Sequence, residues 1–219
     1  IGWALDNWPQ QSEAGAHLAV GTVESYLVFR LTGGAVHISD ASNASRTALM
    51  AIGSGDWDDG LLDLFGVPRA ILPDICDSAG VLGMTDPGPF GAPIAITGMA
   101  GDQQAALVGQ SCLEPGQTKA TFGTGAFVLT QTGRSLPRSN NRLLATVAWQ
   151  LGGERHYALE GSVFVAGSLI QWLRDDLGLI DASPDTEPLA RSVADNGGVY
   201  LVPALSGLGA PHWDAYARG

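Results

Sequence analysis

The segment Gly101-Asp102-Gln103 directly follows the apolar run 94–100, and this position makes Asp102 and Gln103 the first candidates for chemistry. The apolar run predicts a buried strand, with a turn at Gly101–Gln103 and then a helix. Proteins of the α/β class bind ligands where such strands end, so the carboxylate of Asp102 is a candidate ligand-binding group. The amide of Gln103 can bond a hydroxyl group. Alternatively, Asp102 caps the helix that follows and Gln103 lies on the surface.

A second candidate is the segment Thr121–Gly125, in which Gly123 and Gly125 flank Thr124. Glycines let backbone N–H groups converge on an anion without obstruction by a Cβ atom. An ordinary hairpin turn explains the same residues. Phe127, which follows two positions later, is expected in the core, with contact to the carbon edge of a ligand as the alternative.

Gly167 and Gln171 lie one helical turn apart within 162–177, a segment whose apolar residues follow a helical period. A glycine inside a helix costs roughly 1 kcal/mol relative to alanine. Gly167 therefore predicts the close approach of a neighbouring group, either another helix or a ligand, and Gln171 shares that face. None of the three candidates identifies a function alone, and their order in one chain carries more information.

Several common catalytic motifs are absent from the sequence. The only lysine, Lys119, does not stand in the Gly-Lys-Ser/Thr of a Walker A loop. There is no Gly-x-Ser-x-Gly nucleophile elbow, and the 4 histidines do not have the spacing of a zinc protease. The segment 123–128 lacks the third glycine of a dinucleotide fingerprint.

The composition excludes several classes of protein. With 11 Lys and Arg against 22 Asp and Glu, the net charge is −11, which argues against a nucleic-acid partner. A hydrophobic content of 45% against 15% charged residues excludes a disordered chain. No apolar run reaches the roughly 18 residues of a membrane span. The 2 cysteines form no CxxC pair and favour a reduced, cytoplasmic setting.

The apolar periodicity also predicts the elements that position these residues. Helices are expected at 1–30 (in two pieces, the first with Trp3, Leu5 and Trp8 before Pro9, the second at 21–30), 58–65, 104–110, 162–177 and 187–193. Strands are expected at 94–100, on both sides of the glycines in 118–132, in a hairpin of 144–149 with 155–159, and at 199–205. Residues 40–50 are expected to form a loop that enters a helix, and 68–91, rich in proline and glycine, mostly loop.

Strands alternate with helices in the second part of the chain, so the predicted fold class is α/β. At Pro93 a segment rich in proline and glycine gives way to the apolar run 94–100. This change predicts a domain boundary near residue 92, which gives domains 1–91 and 92–219.

Taken together, seven stretches resemble the FGGY family of carbohydrate kinases and, within it, the glycerol kinases. They are Asn43–Thr47, Asp56–Asp59, Ala100–Leu107, Gly123–Gly125, Ala158–Phe164, Ile170–Asp175 and Gly207–Pro211. The resemblance runs over essentially all 219 residues. It implies an α/β, actin-like ATPase (ribonuclease H-like) fold, with parts of two α/β domains flanking a cleft. It also implies phosphorylation of glycerol by ATP, with Mg²⁺, to sn-glycerol 3-phosphate.

The resemblance gives each candidate residue an expected role. Asp102 would be the general base that takes the proton of the attacking hydroxyl, and would face the water shell of Mg²⁺. Gln103 would bond a glycerol hydroxyl and Phe127 would pack on the glycerol carbons. Thr124, with Gly123 and Gly125 around it, would approach the transferred phosphates, while Gly167 and Gln171 would contact the nucleotide.

The same resemblance implies that parts of the active site lie outside this sequence. The family's N-terminal phosphate loop, its glycerol-binding Arg-Glu pair and its C-terminal adenine-binding glycines have no counterpart here. The 219 residues are therefore expected to carry about half a site and not to act alone as an efficient kinase. The loop Gly88–Gly91 lacks the arginine that binds fructose 1,6-bisphosphate in some bacterial members, so that regulation is not expected. The full-length protein is expected to be a homo-oligomer.

Three alternatives stay open at this point. The protein could be a related FGGY kinase acting on a ketose or a sugar acid. It could be a non-catalytic ligand-binding module that keeps the kinase fold. A glycosidase using the paired carboxylates Asp56 and Asp58 is the third, although acidic residues are also favoured at helix starts.

Overall fold

The computed structural model describes residues 1–7 and 18–218, so Trp8, at the end of the first predicted helical piece, lies outside the described part. The α-helices are α1 (Gly2–Asn7), α2 (Val23–Leu31), α3 (Ala41–Ala44), α4 (Asp59–Phe65), α5 (Asp102–Gly109), α6 (Gly167–Asp175) and α7 (Thr186–Arg191). The strands are β1 (Ile38–Asp40), β2 (Met50–Ala51), β3 (Asp56–Trp57), β4 (Asp74–Cys76), β5 (Ala79–Met84), β6 (Ala95–Gly98), β7 (Thr118–Phe122), β8 (Ala126–Gly133), β9 (Leu144–Leu151) and β10 (Glu154–Val163).

The largest sheet has four strands in the order β7-β8-β10-β9, and every neighbouring pair is antiparallel. Two smaller antiparallel pairs, β2 with β3 and β5 with β6, and the parallel pair of β1 with β4 complete the described strands. The predicted hairpin of β9 and β10 turns at Gly152 and Gly153, both with positive φ, as the glycine pair predicts. In the described part, no helix combines the length and apolar character that crossing a membrane requires.

Helix α5 packs on one face of the large sheet. Leu107 in its middle joins Leu129 of β8, Ala148 of β9 and Ala158 of β10 in a buried cluster. Leu107 and Leu129 are fully inaccessible, and burying a leucine side chain contributes about 1.5–3 kcal/mol. The helix is thereby fixed to the sheet, and so is its first turn, which carries the predicted Gly-Asp-Gln residues.

A second hydrophobic cluster joins residues from both predicted domains. Its buried members are Ala41, Ala44, Leu49, Met50, Trp57, Leu62, Val67, Val147 and Tyr157. Because β9 and β10 contribute to it, the segment 41–67 and the large sheet share one core. The boundary near residue 92 remains a prediction.

The predicted order of structure in 40–50 is wrong. Asp40 ends β1, and its carboxylate accepts the backbone N–H groups of Ser42 and Asn43, both at 3.1 Å. A carboxylate in that position starts a helix, so α3 comes first and the loop follows it.

Two further predictions hold only in part. Much of the segment 68–91 is loop, as predicted, but it also holds the strands β4 and β5, and β5 pairs with β6. The strand predicted at 94–100 exists as β6, but it is mostly exposed and not buried. Glycines at 80 and 83 fit a strand whose register shifts between Ala79 and Gly83.

The predicted helix at 162–177 begins later than expected, and the predicted strand at 199–205 does not form. Ser162 and Val163 end β10, and α6 starts only at Gly167. Val199 and Tyr200 are 74% and 86% exposed. Within the described residues, no strand pairs with this apolar segment, and an unpaired strand has no hydrogen-bond ladder to stabilise it.

Candidate active site

Asp102 is the first residue of α5 and follows the N-cap residue Gly101. The N–H of Gly101 donates to the Ser42 hydroxyl at 2.9 Å, so α3 holds the start of α5. A Cβ atom on Gly101 would lie 2.5 Å from Oε1 of Gln104, and the amide of buried Gln104 donates to Thr146 of β9 at 3.2 Å. The first turn of α5 is therefore fixed from both sides.

The carboxylate of Asp102 is exposed, and only one of its two oxygen atoms accepts a hydrogen bond from the helix backbone. Its Oδ1 accepts the backbone N–H of Gln103 at 2.9 Å. Its Oδ2 has one described contact, the Nε2 atom of Gln103 at 3.4 Å. Since the N-cap position belongs to Gly101, helix capping accounts for one carboxylate oxygen and leaves the other available to a ligand.

Sequence reasoning missed Lys119 and Glu160 beneath this turn. Lys119 of β7 is 4% exposed and Glu160 of β10 is 1% exposed. The Lys119 ammonium donates to Oε1 of Gln103 and to the hydroxyl of Thr121, the latter at 2.8 Å. Burial lowers the pKa of Lys119, and the charges of Glu160 and Asp102 oppose that change. The available signal was the single lysine of the sequence, which lies within a predicted strand.

The loop at 123–125 joins β7 to β8 and is tied to the start of α6. The Gly123 carbonyl accepts the N–H of Gly167 at 2.9 Å, and the Thr124 carbonyl accepts the N–H groups of Ala166 at 2.8 Å and Ser168 at 3.2 Å. The Ser168 hydroxyl also donates to the Thr124 carbonyl at 3.0 Å. The first N–H groups of α6 therefore donate to the loop carbonyls. The Thr124 side chain is exposed.

Two glycines are required by this arrangement. A Cβ atom on Gly167 would lie 2.5 Å from the Gly123 carbonyl oxygen, and one on Gly125 would lie 2.6 Å from the carbonyl oxygen of Val163. The neighbour that the sequence predicts at Gly167 is thus the glycine loop itself. Gly167 is the first residue of α6 and not an interior one, so the interior-helix cost does not apply.

Gln171 and Phe127 differ in their exposure to solvent. Gln171 is exposed one turn after Gly167, on the same face of α6. Phe127 is half-buried and packs against the cluster under α5. Its partners across the sheet are Thr121 and Ser162, which places Phe127 on the sheet face that carries Lys119.

These contacts connect most of the predicted residues in one strip. Gln103 contacts β7 through Lys119, whose ammonium also donates to Thr121. β7 leads into the glycine loop, and the loop holds the start of α6. In the described part of the chain, no group of three or more His, Cys, Asp or Glu side chains could hold a metal ion. One carboxylate such as Asp102 suits Mg²⁺ that is held mainly by phosphates and water.

Comparison with known families identifies the family of this chain. Residues 1–109 match the N-terminal domain of the FGGY family of carbohydrate kinases, and residues 118–219 match its C-terminal domain. This chain belongs to the FGGY family. Among curated relatives of this FGGY chain, the glycerol kinases of Rhodospirillum rubrum and Alkalilimnicola ehrlichii are 57% and 59% identical over 100% and 99% of it. The chain spans 45% and 44% of their lengths, less than half of each.

Solved structures support the same fold. Plasmodium falciparum glycerol kinase with ADP superposes with a TM-score of 0.87 at 35% identity, over 99% of this FGGY chain and 44% of that one. Xylulose kinase from Lactobacillus acidophilus has a TM-score of 0.81 at 23% identity, over 99% and 44% of the two chains, and shows the shared fold. The predicted α/β class is confirmed, and the chain is consistent with the actin-like ATPase fold.

The carboxylates proposed for a glycosidase have structural partners instead. Asp56 pairs with Arg69 at 3.2 Å. Asp58 is the N-cap residue of α4 and accepts the N–H of Leu61 at 3.0 Å. Helix capping and a surface ion pair explain both residues, so no observation favours the glycosidase alternative.

Proposed function

We propose that the protein containing this chain transfers the terminal phosphoryl group of ATP to glycerol and forms sn-glycerol 3-phosphate. The observation that carries the proposal is the first turn of α5, where an exposed carboxylate and an oriented amide lie side by side. The names and identities of the two glycerol kinases above support glycerol over a ketose or a sugar acid.

Asp102 is proposed as the general base. Phosphoryl transfer requires an in-line hydroxyl and a residue that accepts its proton. The hydrogen bond from the Gln103 backbone orients the Asp102 carboxylate. Oδ2, which accepts only a 3.4 Å hydrogen bond from the Gln103 amide among the described residues, can also accept from a substrate hydroxyl. Gln103 then contacts a neighbouring glycerol oxygen, and the half-buried ring of Phe127 offers an apolar surface to the glycerol carbons.

The glycine loop is proposed to receive the nucleotide phosphates. Its carbonyl groups bind the N–H groups of α6, and the Gly123 N–H donates to the Gly125 carbonyl at 2.8 Å. The Thr124 hydroxyl and the N–H groups of Thr124 and Gly125 are therefore proposed as the donors to the phosphates. Gly167 and Gln171 on the exposed face of α6 are proposed to contact the nucleotide. ATP-bound Mg²⁺ supplies charge neutralisation for the transfer, and Asp102 is the residue here that would face its water shell.

The setting of the whole protein is part of the same proposal. The free thiols of Cys76 and Cys112 support a reducing compartment such as the cytoplasm. A homo-oligomer is proposed for the full-length protein, to be tested by its mass in solution.

The test uses the intact gene product, whose length is first measured by mass spectrometry of protein from the source cells. We expect ADP release that depends on glycerol and is much weaker with xylulose, ribulose or gluconate. Asp102→Asn should lower kcat by about 100-fold or more, because proton transfer to a positioned base contributes about 10²–10⁴-fold. Faster turnover with a ketose would favour the related kinases, and binding of glycerol or ADP without turnover would favour the non-catalytic module.

A further inference from the structure

The starting observation is a buried ammonium group that the proposed reaction does not use. Lys119 is only 4% exposed, although lysine is among the residues least often buried. Its Nζ atom donates to the Gln103 side chain and to the Thr121 hydroxyl. Lys119 lies on the sheet face that α5 covers, directly under the turn that carries Asp102.

The chemistry of this contact decides which way the Gln103 amide faces. An ammonium group has three donors and no acceptor, whereas a glutamine amide ends in one acceptor oxygen and one donor nitrogen. Lys119 can therefore bind only the oxygen end, Oε1. The Nε2 end must then point away from Lys119, and it lies 3.4 Å from Oδ2 of Asp102. A lysine beneath the turn thus makes Gln103 a hydrogen-bond donor beside the carboxylate.

Glu160 favours the charged form of the buried Lys119 side chain. The Oε1 atom of Glu160 accepts from Arg46 at 3.0 Å and from the Ser162 hydroxyl at 2.9 Å. Its Oε2 atom is buried and has no hydrogen-bond partner among the described residues. Its negative charge attracts the Lys119 ammonium and opposes the lowering of the lysine's pKa by burial. A buried charge persists when an opposite charge compensates it.

We propose that Lys119, supported by the charge of Glu160, is the positioning residue that holds the Gln103 amide with its Nε2 donor turned toward the substrate. This inference rests on the proposed function and adds a specificity rule to it. Gln103 donates to a substrate oxygen while Asp102 accepts a substrate proton, a pair of complementary groups that fits neighbouring hydroxyls. Lys119 acts only through Gln103 and does not touch the reacting atoms.

The test is a double-mutant cycle in the intact gene product with glycerol as the varied substrate. Lys119→Met keeps an apolar stem of similar length and removes the ammonium, so the amide of Gln103 can rotate. We expect KM for glycerol to rise about tenfold with kcat within about threefold, as when binding common to ground and transition state is lost. In a Gln103→Ala background, Lys119→Met should change KM no further.

Thr118→Val is the matched control, because Thr118 is exposed on the neighbouring position of β7 and faces the other side of the sheet. It should leave KM unchanged. An equal rise in KM from Lys119→Met in both backgrounds would show a structural effect that does not pass through Gln103, and would overturn the proposal. An unchanged KM in the wild-type background would overturn it as well.

A second variant covers the case in which Lys119→Met does not fold. Gln103→Glu keeps an acceptor for Lys119 and replaces the outward donor by an acceptor, so we expect a comparable rise in KM. Wild-type KM in Gln103→Glu would mean that an oxygen faces the substrate, which contradicts the proposal.

A spectroscopic measurement separates this inference from the proposed function. The side-chain NH₂ resonances of Gln103, assigned by NMR from their loss in Gln103→Ala, should shift in Lys119→Met and stay in place in Thr118→Val. If the intact protein phosphorylates no polyol, the proposed function fails while this measurement still tests the contact. If the chemical shifts of these resonances do not change in Lys119→Met, the proposed contact between Lys119 and Gln103 is wrong, even if the protein is an active kinase.

Discussion

Among single residues, Cys76 gives the most direct test of the local electrostatics. Burial raises the pKa of its thiol to about 12, and the nearby charges of Asp40, Asp77 and Glu24 add to the effect. The thiolate is the form that reacts with alkylating agents. The environment of Cys76 therefore protects it by suppressing ionisation, in addition to its partial burial.

We expect Cys76 in the folded protein to react with iodoacetamide at about pH 8 roughly 10³-fold more slowly than in the denatured chain, where a thiol pKa of about 8.5 leaves about a quarter ionised. The rate is measured by mass spectrometry in a Cys112→Ala variant, so that one thiol remains. Similar rates before and after denaturation would show that Cys76 titrates like an exposed cysteine.

The predicted site residues illustrate what spacing can and cannot reveal. Asp102 and Gln103 were predictable because an apolar run before Gly-Asp-Gln predicts a strand, a turn and a helix. Lys119 and Glu160 were not, since their partnership with the turn depends on which sheet face α5 covers. The four-stranded sheet places β7 and β10 on either side of β8, an order that the sequence does not specify.

At the scale of elements, paired strands with local partners were predicted well. The turns at Gly123–Gly125 and Gly152–Gly153 each join neighbouring antiparallel strands, so the signal and the partner lie close together in the sequence. The segment 199–205 has the same apolar character but no strand partner among the described residues. The start of α6 was misplaced because Val163, at the end of β10, and the apolar residues 164–166 precede the helix without a break in the apolar pattern.

The junction between the glycine loop and α6 supplies a prediction at this scale. Gly167→Ala places a Cβ atom 2.5 Å from the carbonyl oxygen of Gly123, so the loop and the helix must separate. We expect a loss of about 1–3 kcal/mol in the free energy of unfolding, as for other overpacked sites. If the loop binds phosphates, ADP affinity measured by calorimetry should fall as well.

Gly109→Ala is the matched control for that change. Gly109 ends α5, and a Cβ atom there would meet nothing within 4 Å. Alanine has the higher helix propensity, so this variant should be neutral or slightly more stable. Equal stability of Gly167→Ala and Gly109→Ala would contradict the tight contact between the loop and α6.

At the scale of the whole molecule, Asp77 links the segment after β4 to the turn between β9 and β10. Its carboxylate accepts the backbone N–H groups of Gly152 at 2.6 Å and Gly153 at 3.1 Å, and the Gln150 amide at 2.9 Å. Together with the shared hydrophobic cluster, this contact joins the segment 41–77 to the large sheet. Partial burial acts to raise the pKa of Asp77, but the hydrogen bonds outweigh it and lower the pKa below 3.8.

Asp77→Ala should therefore lower the free energy of unfolding by about 1–3 kcal/mol at neutral pH, the range for hydrogen bonds to a charged group. Since the folded-state pKa of Asp77 is lowered, its contribution is present above the unfolded value of about 3.9 and is lost as the pH falls through the folded value. The unfolding free energies of variant and wild type, measured in urea, should thus converge as the pH falls through the lowered folded-state pKa of Asp77. Asp63→Ala, an exposed aspartate on α4, should change little at either pH. A gap for Asp77→Ala that persists in acid would mean that its ionised carboxylate does not hold the two parts together.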